Sequence, residues 1–273
     1  MSARFARLRP PAVAGSFYPG DPEELRRTVD ALLAAPAAAA GLPVEIDRPL
    51  RALIAPHAGY EYSGPVAASA FRLLRPLAGR IRRVIVLGPS HHVFCAGIAL
   101  SSAVDFSTPL GTIPLDPAAT ESLSALRQVV VLDRAHALEH ALEVELPFLQ
   151  RTLGDFSLVP LVVGEASAEE VAAALDALAP DDATLVVVST DLSHFHDDET
   201  ARRLDRATAQ AIEALDFAAI RDRDACGARP LRGLLCWARE HRLAIRRLDL
   251  RNSADTAGGR DRVVGYGAWA LTG

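Results

Sequence analysis

Five short stretches of this 273-residue chain carry side chains suited to acid–base or metal chemistry. His57 lies in P-H-A-G-Y, where Pro56 and Gly59 pin a tight loop. Its imidazole suits a metal ligand or a general base, and equally a loop histidine held by hydrogen bonds. His91 and His92 directly follow V-I-V-L-G-P-S. Neighbours in extended backbone point to opposite sides, so at most one of the pair faces a given site while the other packs or orients a neighbour. Asp191 and His194 are three apart in S-T-D-L-S-H-F and share a face in a turn or first helical turn, with helix capping the plainer role for Asp191. His140 and Glu143 repeat that spacing in E-H-A-L-E, which on a helix makes either an acid–base pair supporting the site or a solvated charged face. Cys226 sits in the polar run R-D-R-D-A-C-G-A-R-P, whereas Cys236 lies in apolar L-L-C-W and Cys95 reads as core. Cys226 is therefore the cysteine with chemistry to do.

Strands must deliver these groups. Val84–Leu87 is an uninterrupted β-branched and aliphatic run, ended by Gly88-Pro89. Leu53–Ala55 runs into Pro56-His57, and Leu185–Ser189 runs into Thr190-Asp191. Buried strands that end in titratable side chains are how α/β proteins assemble sites from distant segments. Further strands are expected over 97–101, 129–132, 158–163, 244–250 and 263–271. Helices are expected from the Asp21-Pro22 cap to about Ala35, over about 64–74, from Asp116-Pro117 to about Leu126, over 136–153 and 168–178, and over about 197–215 and 230–241. The 136–153 helix rests on Leu138, Leu142, Leu146 and Leu149. Alternating strands and helices predict an α/β fold: a single domain over 1–273 with a central mixed, largely parallel sheet flanked by helices. Residues 1–43, an aromatic turn, a helix and the linker-like Pro36–Pro43 stretch, pack on that domain.

Composition narrows the functions. Half the residues are hydrophobic, enough for a large core. The formal charge is −5 and the arginines are scattered, which argues against nucleic acid. No run reaches the length of a membrane span, the first residues lack the apolar run of a signal peptide, and three cysteines without a C-x-x-C pair suit a reducing cytoplasm. There is no G-x-G-x-x-G and no P-loop.

At these residues the sequence resembles the MEMO family. The matching stretches are A-G-S-F-Y at 14–18, I-A-P-H-A-G-Y at 54–60, L-G-P-S-H-H at 87–92, A-L-S-S at 99–102, E-H-A-L-E at 139–143, S-T-D-L-S-H-F at 189–195 and C-G-A-R-P at 226–230. The resemblance implies a fold like that of class III extradiol dioxygenases and a metal site on His57, His91 and Cys226. It implies that Asp191 and His194 line the same pocket, where their chemistry suits them to move protons; by their own adjacency and spacing, His92, His140 and Glu143 fall behind. AMMECR-like and radical SAM companion proteins are the partners it suggests, beside an unknown small-molecule or peptide ligand. Two imidazoles and a thiolate favour iron or copper, with zinc the third candidate. The thiolate stands where ring-cleaving enzymes carry a carboxylate, which weighs against ring cleavage itself. Three functions follow: redox or dioxygenase-like metal chemistry, a zinc hydrolase with Asp191 as base, and a non-catalytic peptide- or protein-binding cleft.

Overall fold

The computed structural model describes residues 8–35, 48–178 and 181–273; the expected linker at Pro36–Pro43 lies outside them. Twelve strands and eight α-helices are present among the described residues. In chain order they begin β1 (Leu8–Arg9), α1 (Pro22–Ala34), β2 (Leu50–Ala55), α2 (Tyr60–Phe71) and β3 (Arg83–Pro89). Next come β4 (Ile98–Leu100), β5 (Asp105–Thr108), β6 (Gly111–Pro114), α3 (Pro117–Ser124), β7 (Val129–Val131) and α4 (Asp133–Ala137). After these follow α5 (Leu146–Leu153), β8 (Ser157–Val163), α6 (Ala168–Ala177), β9 (Thr184–Ser189) and β10 (His194–His196). The chain closes with α7 (Asp198–Glu213), α8 (Ala228–Glu240), β11 (Ala244–Asn252) and β12 (Val263–Thr272).

The fold is α/β with one large mixed sheet. Its centre is four parallel strands in the order β2-β9-β3-β8, in register at Ala55↔Ser189, Leu87↔Val188 and Leu87↔Leu161. β12 extends it antiparallel beside β2, and β4 antiparallel beside β8. Every residue of β9 is buried, as an apolar run covered on both faces requires. One face packs on α1, α2 and α5 through Leu25, Val66 and Phe148; the other packs on α6, α7 and α8 through Val171, Ile212 and Leu231. The 105–114 hairpin and short β1 form a separate three-stranded sheet that the apolar pattern did not reveal.

The helix caps follow their sequence signals. Asp21, Asp116 and Asp197 each accept a backbone N–H from the first turn of the helix they open, and Ser167 with Glu170 closes a reciprocal capping box. The expected helix over 136–153 is not continuous. α4 ends at Ala137, residues 138–142 form no helix, a 3₁₀ turn covers Glu143–Glu145, and α5 begins with Pro147 in its first turn. Leu138, counted for the apolar stripe, is 64% exposed. The reason is polar: Glu139, Glu143 and Glu145 are all buried against different partners, whereas a regular helix would set Glu139 and Glu143, four apart, on one face. α2 likewise starts at Tyr60, earlier than the 64–74 expected, because the Tyr60 N–H is held by the Phe17 carbonyl.

Candidate metal centre

The parallel register brings the carboxyl ends of β2, β3 and β9 to one edge of the sheet, where His57, His91 and Asp191 follow within two residues of the strand ends. Cys226 joins them from the loop before α8. Gly227 makes that approach possible: its N–H donates to Thr190 Oγ1 at 2.9 Å, and a Cβ there would lie 2.6 Å from Thr190 and 2.8 Å from the Ser189 carbonyl. Gly88 does the same at the end of β3, where a Cβ would lie 2.7 Å from Leu142 on the 138–142 segment.

His57 Nε2 lies 3.3 Å from Cys226 Sγ. Its backbone N–H donates to Asp191 Oδ1 at 2.8 Å, and its Nδ1 contacts Ser189 Oγ at 2.8 Å. Burial, with the neighbouring His91 charge second, pushes the His57 pKa down to about 3, so the ring is neutral near pH 7. His91 turns Nδ1 to Glu139 Oε1 at 2.8 Å, and its backbone N–H donates to Glu139 Oε2 at 2.7 Å. Glu139 also accepts the Ala141 N–H at 3.0 Å. These donors, led by the His91 ring, outweigh burial and hold the Glu139 carboxylate down at about 2.

Among the described residues, two groups of donors lie within 4.8 Å of one another: His57, His91 and Cys226; and His91, Glu139 and His140. The second is already a hydrogen-bonded cluster, in which Glu139 accepts from the His91 ring and from the His91 and Ala141 N–H groups. The first fits a metal. A tetrahedral ion with ordinary metal–nitrogen and metal–sulfur distances sets its nitrogen and sulfur ligands about 3.5 Å apart, close to the His57–Cys226 separation. Burial, with Asp191 second, pushes the Cys226 thiol up to about 12, so without an ion Sγ keeps its proton. Its Sγ accepts the Asp191 N–H at 3.3 Å, which holds the sulfur toward the cleft.

The remaining expected residues divide. Asp191 is 4% exposed, and burial raises its pKa to about 6. His194 Nδ1 lies 2.8 Å from the Leu192 carbonyl, which can only accept, so Nδ1 carries a proton. The two do not share a helical face. Residues 190–193 are irregular and His194 enters β10 beside β12. His140 stacks on His91 with ring centroids 4.7 Å apart and stands at right angles to His57 at 5.4 Å. Burial lowers its pKa to about 4. His92 is exposed and flanks His140 at 6.1 Å. Glu143 does not reach the cleft: it accepts from the Arg9 guanidinium, the Tyr18 hydroxyl and the Ala12 and Val13 N–H groups, clasping the N-terminal strap. Its expected pairing with His140 fails with the helix that would have put them on one face.

Glu139, Glu145 and Ser189 were missed as site residues. Glu139 had a signal, adjacent to His140 in the quoted motif, that the three-residue spacing overshadowed. Glu145 had another: a lone acid inside V-E-L-P-F-L, an apolar context where a carboxyl is found only with a purpose.

The family model for Memo-like proteins matches residues 9–270. A MEMO1 family protein of Methanopyrus kandleri is 37% identical over 95% of this chain and 97% of its own length. Those of Sulfolobus acidocaldarius and Thermotoga maritima are each 34% identical, over 95% and 94% of this chain and 97% of their own lengths. The crystal structure of an uncharacterized protein from Escherichia coli K12 superposes with a TM-score of 0.52 at 15% identity, covering 82% of this chain and 100% of that one, a likeness of fold alone. Matched along nearly its whole length, this chain belongs to the Memo-like, or MEMO1, family.

Proposed function

We propose that the cleft is a metal centre in which His57, His91 and Cys226 bind one iron or copper ion, and that the protein carries out redox, dioxygenase-like chemistry on a small-molecule substrate. The observation that carries this reading is the convergence of two imidazoles and a thiol, each on a different loop, within 4.8 Å. Such an ion, when bound, would supply electron transfer or oxygen activation at a position open to ligand, since three protein donors leave coordination room.

The protein's own groups supply the rest. His57 presents a ring nitrogen without needing to lose a charge, because burial keeps it neutral, and Glu139 orients the His91 ring through Nδ1. Cys226 must release its proton before Sγ can act as a donor, so apparent metal affinity falls as pH drops. Asp191, near 6, can take or give a proton close to neutrality, and His194 offers Nε2 from the other side of the same loop. A cavity of roughly 210 Å³ lined by Pro89, Ser90, Cys226 and Arg229 gives a substrate access beside the sulfur.

A peptide-binding role for the same cleft is favoured by one observation: Phe94 beside His92 and Phe195 beside His194 are 76% and 62% exposed. Metal analysis of protein purified without oxygen or chelators separates the readings. Near-stoichiometric iron or copper in wild type, lost in His57→Ala and Cys226→Ala, supports the metal centre. Metal-free, folded protein that takes up no added iron, copper or zinc leaves the binding role.

A further inference from the structure

On the His57 side of the cleft, three contacts around one hydroxyl can be accounted for proton by proton. Ser189 Oγ lies 2.8 Å from His57 Nδ1, 2.7 Å from the Ala141 carbonyl oxygen and 2.7 Å from Glu145 Oε1. A serine hydroxyl owns one proton and accepts through two lone pairs. The Ala141 carbonyl can only accept, so the Ser189 proton goes there. The other two partners must then each donate: His57 from Nδ1 and Glu145 from Oε1. Any other assignment leaves a buried contact of hydrogen-bond length with no proton in it.

Glu145 itself agrees with that assignment. It is fully buried, and its second oxygen, Oε2, has no hydrogen-bond partner among the described residues. An ionised carboxylate with an orphaned oxygen in apolar surroundings is far costlier than a neutral acid whose carbonyl oxygen is unpaired. Burial drives its pKa well above the ordinary carboxylate range, with the nearby Asp191 charge adding to the rise and the Ser189 bond opposing it.

We propose that Glu145 is held as a neutral carboxylic acid and, through Ser189, fixes His57 as its Nδ1–H tautomer, aiming the Nε2 lone pair at Cys226. Glu145 and Ser189 are positioning residues for that nitrogen. The consequence for metal affinity rests on the metal-centre reading above; the hydrogen bonds do not. The site thereby uses two glutamates of one segment in opposite protonation states: Glu139 charged against His91, and Glu145 neutral behind His57. The neutral one sets a tautomer without adding negative charge beside the thiolate.

The test uses the full chain, metal-free and ¹⁵N-labelled, with side-chain histidine resonances read by long-range ¹H–¹⁵N correlation. Wild-type His57 is expected as the Nδ1–H tautomer, and infrared spectra should carry a protonated-carboxyl C=O stretch that disappears in Glu145→Gln. Glutamine keeps an N–H donor for Ser189, so Glu145→Gln should retain the tautomer and bind Zn²⁺ within about threefold of wild type, whereas Ser189→Ala mixes the tautomers and weakens Zn²⁺ roughly 10–100-fold. An Nε2–H tautomer in wild type, a reading that needs no variant, overturns the proposal, and so does a folded Glu145→Gln that loses no protonated-carboxyl band. Wild type with the Nδ1–H tautomer that takes up no Zn²⁺, Fe²⁺ or Cu²⁺ would sink the metal centre and leave this inference standing. Metal uptake by a wild type with the Nε2–H tautomer would do the reverse.

Discussion

The two histidines facing Cys226 are held by different kinds of structure. His57 leaves β2 and is fastened to the neighbouring strand's end: its backbone to Asp191, its ring to Ser189. Both partners belong to or follow β9, which is in register with β2, so sheet geometry places this half, and Glu145 bears only on the proton of the His57 ring. His91 leaves β3 but is fastened to Glu139, on a stretch with no regular structure. That stretch is pinned from outside. Arg9 donates to the carbonyls of His136 and Glu139 and pairs with buried Glu143, and Tyr18 and two strap N–H groups complete the grip. One half of the site is built by the sheet, the other by a loop that an N-terminal strap holds down.

The largest effect that would break this contrast is on the strap. Arg9→Ala leaves Glu143 buried without its cation and should cost about 3–5 kcal/mol of stability in denaturant unfolding. A loss below about 1 kcal/mol would mean that the loop holds itself. Asp205 tests the sheet half. It accepts the Ser193 N–H at 3.0 Å, and burial raises its pKa from 3.8 to about 6. The folded state therefore keeps this proton where the unfolded chain has lost it, so its contribution to stability falls as pH rises through that window and is fully lost above it. Relative to Asp205→Asn, wild type should lose up to about 3 kcal/mol between pH 3.8 and about 6 in matched melts. A difference curve that is flat or rises with pH would remove Asp205 from the account.

Glu139→Ala should lower metal affinity roughly 10–100-fold by titration while leaving the His57 tautomer unchanged. If both histidines respond, the two halves are one unit. Tyr18→Phe, which removes one of the four partners of Glu143, should cost about 1 kcal/mol in thermal or denaturant melts.

The same contrast explains what could be read without a structure. The strand half was legible: apolar runs ending in P-H, G-P-S-H-H and T-D identify buried strands and the groups at their ends, and each falls at one edge of the sheet. Cys226 was legible by its polar surroundings, while the close approach that needs Gly227 shows only in the fold. The loop half was not. Leucines at helical spacing argue for a helix over 136–153, and that argument carries no information about three glutamates that each need a separate buried partner. The three-residue spacing consequently pairs Glu143 with His140, whereas its partners are Arg9 and Tyr18, more than a hundred residues earlier in the chain. The His194 side was half legible. Its place at the cleft follows from the motif, but the irregular stretch before β10 is set by pairing with β12, which comes from the far end of the chain.

The most direct test of the metal centre is X-ray absorption at the zinc edge of protein loaded with one equivalent of Zn²⁺. The account predicts one sulfur at about 2.3 Å with nitrogen donors at about 2.0–2.1 Å, and loss of the sulfur shell in Cys226→Ser. A wild-type spectrum with only oxygen and nitrogen neighbours would contradict it.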